Sequence, residues 1–208
     1  TSESAINVNY GTELVINNGT VIKNNKCTAS SGTLYVIGSV VMNGGSIENN
    51  ESANYGNIFI DYAGSGTGTA SFTMNGGKVC DNTLTKDSSF GGGAFYVRNA
   101  KLTINSGVIS GQKKIPSPGG AIYCTSYGKV YINGGTITNN SSTKEGDAIF
   151  YSCQYGNNGE LYIGGNPYIS DSIYLDATGS GYKYLHITSA IKQPLTLVVP
   201  SYTEDAVI

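Results

Sequence analysis

The sequence predicts an all-β fold: a parallel β-helix (solenoid) with about three short strands per coil and six to seven coils. Three observations predict it. A segment built on Asn-Gly-Gly or a close variant recurs along the chain, a second apolar motif lies between its copies, and glycine or asparagine closes each apolar run.

The first segment reads Leu14-Val-Ile-Asn-Asn-Gly-Thr-Val-Ile-Lys-Asn-Asn25 and returns as Val40 to Asn50, Phe72 to Asn82, Leu102 to Gln112 and Val130 to Asn140. Leu161 to Asp171 is a degenerate last copy. The anchors Asn17, Asn43, Asn75, Asn105, Asn133 and Gly164 are 26, 32, 30, 28 and 31 residues apart. That period marks a solenoid. It is too short for a propeller blade, and no segment carries a 3.6-residue apolar period free of glycine.

Period two within a run means a strand. Leu14/Ile16, Val40/Met42, Phe72/Met74, Leu102/Ile104, Val130/Ile132, Leu161/Ile163 and Leu185/Ile187 are expected inward. Val15, Val41, Thr73, Thr103, Tyr131, Tyr162 and His186 are expected outward.

The second motif reads Gly56-Asn-Ile-Phe-Ile-Asp61, Gly92-Gly-Ala-Phe-Tyr-Val97, Gly119-Gly-Ala-Ile-Tyr-Cys124, Gly146-Asp-Ala-Ile-Phe-Tyr151 and Asp171-Ser-Ile-Tyr-Leu-Asp176. Its parity is ambiguous: Ala121/Tyr123 or Ile122/Cys124 can face inward. Ile58/Ile60 and Ile173/Leu175 favour the alanine positions, which would leave Phe59, Phe95, Ile122, Ile149 and Tyr174 as an exposed apolar row to be covered by a domain or partner. Gly and Asn suit the corners because both tolerate left-handed backbone.

Composition narrows function by exclusion. The 208 residues include 29 Gly, 16 Tyr and one His, with 12% charged residues and a net charge of −2. Arg98 is the sole arginine, so the phosphate-neutralising charge that nucleic-acid binding needs is missing. No apolar run approaches the roughly 20 residues of a membrane-spanning helix; the best is Leu195 to Val199. One domain over 1–208 is expected, with repeated coils over 1–184 and closing strands over 185–208, as a piece of a larger polypeptide.

Gly119-Gly-Ala-Ile122 and Gly92-Gly-Ala-Phe95, alternating with Ile47-x-x-Asn50, Val79-x-x-Asn82 and Ile137-x-x-Asn140, resemble the repeats of chlamydial polymorphic outer-membrane proteins. Ile or Val stands where that family has Phe, which moves the likeness toward adhesin-like β-helix surface proteins of bacteria and archaea. The resemblance implies a right-handed, pectin lyase-like β-helix displayed outside the cell.

The sharpest alternative is a carbohydrate-active enzyme, a polysaccharide lyase or hydrolase. It needs carboxylates converging within about 5–10 Å. Asp61 and Asp176 occupy equivalent motif positions, with Val97, Cys124 and Tyr151 between them. That places the two carboxylates roughly 20 Å apart at 4.8 Å per coil. Asp147, Asp171 and Glu145 form the one carboxylate group at a corner, where solvated residues are expected. The glycine pairs have no helix following and so do not form a phosphate loop. Ice binding fails because Lys78/Cys80 and Ser46/Glu48 break the Thr136/Thr138 ladder.

Cys27, Cys80, Cys124 and Cys153 lack zinc spacing, and a Cys124–Cys153 disulfide would need an irregular corner. No catalytic residue, metal or cofactor is expected. Tyr131, Tyr162 and His186 stack on one outward row and are the candidate ligand-binding residues, for a glycan or host-protein ligand; self-stacking of the rod is the rival reading. Tyr123, Tyr127, Tyr151 and Tyr155 crowd the neighbouring corners. The expectation is an extracellular, non-enzymatic adhesin-like stalk or binding platform.

Overall fold

The computed structural model describes residues 3–28, 31–61, 70–113, 115–152, 159–176 and 185–200. Among them every regular element is a strand, and every strand pairing is parallel, as in a β-solenoid of about six turns. Each coil visits three long sheets in turn. The first sheet has eight strands, including Ile58–Asp61, Phe95–Arg98, Ile122–Thr125, Ile149–Ser152 and Ile173–Asp176. The second has seven, from Glu13–Ile16 to Leu185–Ile187, and the third has six, from Val21–Lys23 to Tyr168–Ile169. A short fourth sheet of three strands widens the early coils.

The second sheet stacks as its alternation requires. Phe72 pairs in register with Val40 on one side and Leu102 on the other, and Met74 pairs with Met42 and Ile104. All six are buried. Thr73 and Thr103 lie half-exposed between them. At the two outer coils the burial fades: Leu14 is only half-buried and Ile187 is 53% exposed, against its inward assignment. No further strand of this sheet covers either coil among the described residues, so half of the packing shell is missing. Leu195 and Val199 pack partly against the core, whereas Leu197–Val198, the last strand, is exposed.

Corners follow the residue types. Asn49, Asp81 and Asn139 hold φ of 53°, 54° and 56°, the left-handed region that these short polar side chains tolerate better than other non-glycine residues. Beside them runs a buried amide ladder. The Asn25, Asn50, Asn82, Gln112 and Asn140 backbone N–H groups donate to the side chains of Asn50, Asn82, Gln112, Asn140 and Asp171 respectively. The side-chain amides of Asn50, Asn82, Gln112 and Asn140 reach back to the carbonyls of Ile22, Ile47, Val79 and Ile109. A second ladder lies in solvent, with Asn43 donating to Asn17, Asn75 to Asn43, Asn105 to Asn75 and Asn133 to Asn105.

The first sheet corrects the parity favoured by the sequence. Ile58 pairs with Phe95, Phe59 with Tyr96, and Ile60 with Val97. Ile122 pairs with Phe95 and Ile149, and Ile173 with Ile149. Phe95, Ile122 and Ile149 therefore face inward and are fully buried. The outward row is Tyr35, Phe59, Tyr96, Tyr123, Phe150 and Tyr174. The cause is one extra residue: Gly56 is followed by Asn57 and then Ile58, whereas Gly92 is followed by Gly93, Ala94 and then Phe95. Aligning on the glycine slips the register by one and so exchanges the faces.

Candidate functional site

Two aromatic rows occupy outer faces of the rod. On the second sheet, Tyr131 pairs with Tyr162 and Tyr162 with His186. The two tyrosine rings stack at 4.5 Å with an interplanar angle of 1°, and the imidazole stacks on Tyr162 at 4.5 Å and 20°. All three sequence-predicted residues are thus brought together. Their stacking also limits what they offer: the faces turned toward one another are taken, so a ligand beside the row meets ring edges and the tyrosine hydroxyls.

The row is tied to charge. Lys129 pairs with Glu160 at 2.8 Å, and Tyr162 Oη donates to Glu160 Oε2 at 2.8 Å. The hydrogen bond from Lys129 holds the Glu160 carboxyl below its ordinary range and raises the lysine in turn. The bond to Glu160 pushes the Tyr162 phenol up to about 12. Glu160→Gln should bring that phenol back toward the ordinary tyrosine value near 10, read by spectrophotometric titration of tyrosinate. Because the folded-state carboxyl is depressed, the unfolded chain binds a proton first as pH falls. The stabilisation from this pair is then complete between about pH 4.3 and about pH 10.4, and is lost as pH drops through the lower folded-state value of Glu160 or rises through the raised value of Lys129. The pair is half-buried at the surface and open to solvent screening, so its contribution is under about 1 kcal/mol.

The first-sheet row is nearly covered although it faces away from the core. Phe59, Tyr96, Tyr123 and Phe150 are at most 8% exposed. Successive rings from Tyr96 through Tyr123 and Phe150 to Tyr174 stack at 5.1–5.2 Å with interplanar angles of 9–12°. Burial raises the phenol of Tyr96 well above the ordinary tyrosine range.

Corner residues wall this row and make it the floor of a groove. On one side stand Tyr55, Phe90, Pro118 and Glu145, each one or two residues before the turning glycine of its coil. On the other side runs the register Asp61, Arg98, Thr125, Ser152, Asp176. Arg98, Thr125 and Ser152 thus stand between Asp61 and Asp176, in place of Val97, Cys124 and Tyr151. Arg98 clasps Asp61 with two hydrogen bonds of 3.0 and 2.7 Å and lies 5.3 Å over the Phe59 ring.

The other sequence candidates disperse. Asp147 accepts from the Ser142 backbone N–H at 2.9 Å, and Asp171 accepts from Asn140, so both carboxylates cap corners. Tyr151 points into the core and its hydroxyl donates to the Gly159 carbonyl. Tyr123 belongs to the covered outer row, and Tyr127 is 55% exposed. Burial, with Asp81 and Glu48 nearby, pushes the Cys80 thiol up to about 11, which keeps it protonated at neutral pH. Tyr155 and Cys153 lie outside the described residues, and with Cys153 the proposed disulfide. No helix among the described residues is long and apolar enough to cross a membrane. Comparison with known protein families, curated proteins and solved structures found no match.

Proposed function

We propose that this chain is an extracellular, non-enzymatic module of an adhesin-like surface protein, serving as a stalk and as a binding platform for glycan or protein ligands. The observation that carries the reading is the use of its outward side chains. Aromatic and amide ladders run from coil to coil, so the outer face is built to be rigid and regular over many coils, which is what a display rod requires. Carboxylates are spent on corner caps and on ion pairs such as Asp61–Arg98, and the Tyr131–Tyr162–His186 row supplies hydroxyls and ring edges at regular spacing.

Screening the purified module against arrays of glycans and host extracellular proteins tests it. The expected result is at least one specific ligand, bound at least tenfold more weakly by the Tyr131→Ala/Tyr162→Ala double variant at unchanged far-ultraviolet dichroism. Unchanged binding in that variant removes the tyrosine row from the site. Release of reducing ends from acidic polysaccharides by the module would replace the whole reading with the carbohydrate-active alternative.

A further inference from the structure

The repeat is built on Asn-Gly, and that dipeptide carries a chemistry of its own. Asn18-Gly19, Asn43-Gly44, Asn75-Gly76, Asn133-Gly134 and Asn158-Gly159 each place a carboxamide directly before a residue without a side chain. All but Asn158 lie within the described residues. Glycine has no Cβ to shield its amide nitrogen and gives the backbone free rotation, so that nitrogen can reach the carboxamide carbon one residue back. As dipeptides these sites are equivalent, and the fold makes them different. Asn43 and Asn75 are held on both sides. Asn43 Nδ2 donates to Asn17 Oδ1 while its Oδ1 accepts from Asn75, and Asn75 in turn accepts from Asn105. Asn133 is held on one side only. It donates to Asn105, but the next position in its register is Gly164, which has no side chain to donate back. Asn18 stands one position later in its corner than the ladder residues, and its side chain makes no hydrogen bond among the described residues. Asn18 and Gly19 are both exposed, and nothing lies within 4 Å of the place a methyl on Gly19 would take.

We propose that Asn18 is a site of spontaneous covalent modification, converting to aspartate and isoaspartate through a cyclic imide, while the amide ladder protects Asn43 and Asn75 from the same reaction. The Gly19 amide nitrogen attacks Asn18 Cγ and forms a new C–N bond. The bond from Cγ to the side-chain nitrogen breaks, and that nitrogen leaves as ammonia with the proton the Gly19 amide gives up. Water then opens the imide at either carbonyl, which yields aspartate or isoaspartate. No oxidant, cofactor or enzyme enters. In Asn43 and Asn75 the carboxamide must first turn out of the ladder and open two hydrogen bonds; in Asn133 it must open one. Each bond that has to open slows its residue by about threefold to tenfold. The order is therefore Asn18, then Asn133, then Asn43 and Asn75. The outcome also differs by site. Within the ladder, a carboxylate would replace a donor and face the Oδ1 of the next asparagine. Asn18 belongs to no ladder, so its conversion leaves the coils tied and adds one negative charge to a chain of net charge −2. The first coil thus gains a carboxylate with age while the rod stays folded.

The test is independent of any ligand. The folded protein is incubated at mildly alkaline pH, and peptide mapping by mass spectrometry follows the conversion of carboxamide to carboxyl at Asn18, Asn43, Asn75 and Asn133. Asn18 should convert at least about tenfold faster than Asn43 or Asn75, the effect of two ladder bonds, with Asn133 between them. In concentrated urea the ladder is gone and the rates should converge. Asn105→Ala removes the partner of Asn133 and one partner of Asn75. It should raise Asn133 to the rate of Asn18, raise Asn75 part of the way, and leave Asn18 unchanged. Gly19→Ala shields the attacking nitrogen and should slow Asn18 alone. The inference is overturned if Asn18 converts no faster than Asn43 and Asn75 in the folded protein. It is equally overturned if the folded order persists in urea, or if Asn105→Ala leaves Asn133 at its parent rate.

Discussion

Asn82→Ala is expected to destabilise the solenoid by about 3–5 kcal/mol, because one amide side chain bonds a strand residue and the corner residue after it on the neighbouring coil. Its Oδ1 accepts from both the backbone and the side-chain N–H of Asn50, and its Nδ2 donates to the Ile47 carbonyl. The residue is 1% exposed, so water does not replace what is lost. Each buried group left without a partner costs about 1–3 kcal/mol, and the backbone N–H of Asn50 and one of its side-chain N–H groups both lose their acceptor. Asn75→Ala is the control. Asn75 makes the same kind of ladder contacts to Asn43 and Asn105, but in solvent, and should cost under about 1 kcal/mol. Urea unfolding of both variants measures the difference. Equal losses would mean that the buried ladder is not what holds the coils in register.

Gly92→Ala should cost at least about 3 kcal/mol, from two effects that add. Gly92 turns the chain into the Phe95–Arg98 strand at φ +85°, and a Cβ there would overlap the Phe95 carbonyl oxygen and lie 2.9 Å from the Tyr123 nitrogen. Left-handed backbone alone costs an alanine about 1–2 kcal/mol; the overlap is with backbone, which cannot rotate away. Gly19 separates the two effects. It has φ +87°, and nothing lies within 4 Å of the place a methyl would take, so Gly19→Ala should show only the backbone penalty. If the two variants unfold at the same urea concentration, close coil packing at Gly92 contributes nothing.

The second sheet was legible in the sequence because two signals agree there. The apolar alternation of Phe72/Met74 or Val130/Ile132 sets the face, and the Asn at the end of each run sets the register. On the first sheet those signals separate. The glycine marks the corner, but the number of residues from corner to strand changes between Gly56 and Gly92, so the glycine is a poor ruler. Aligning instead on the aromatic residues Phe59, Tyr96, Tyr123, Phe150 and Tyr174 recovers the observed register, and with it the pairing of Arg98 with Asp61. The groove walls were not legible. Tyr55, Phe90, Pro118 and Glu145 lie in corners of different length, and only the turning glycines after them bring these residues to one rim. The Tyr131, Tyr162 and His186 stack was readable from spacing, whereas the closure of its ring faces required the coil-to-coil distance.

The parallel pairing of every sheet has a mechanical consequence. Inter-coil hydrogen bonds run along the rod, so tension between its ends loads them in series and opens them coil by coil. Each released coil of 26 to 32 residues yields about 90–110 Å of extended chain in place of the roughly 4.8 Å it occupied. A solenoid built this way dissipates a pull by lengthening many-fold in discrete steps, while the coils that have not yet peeled keep their surface intact.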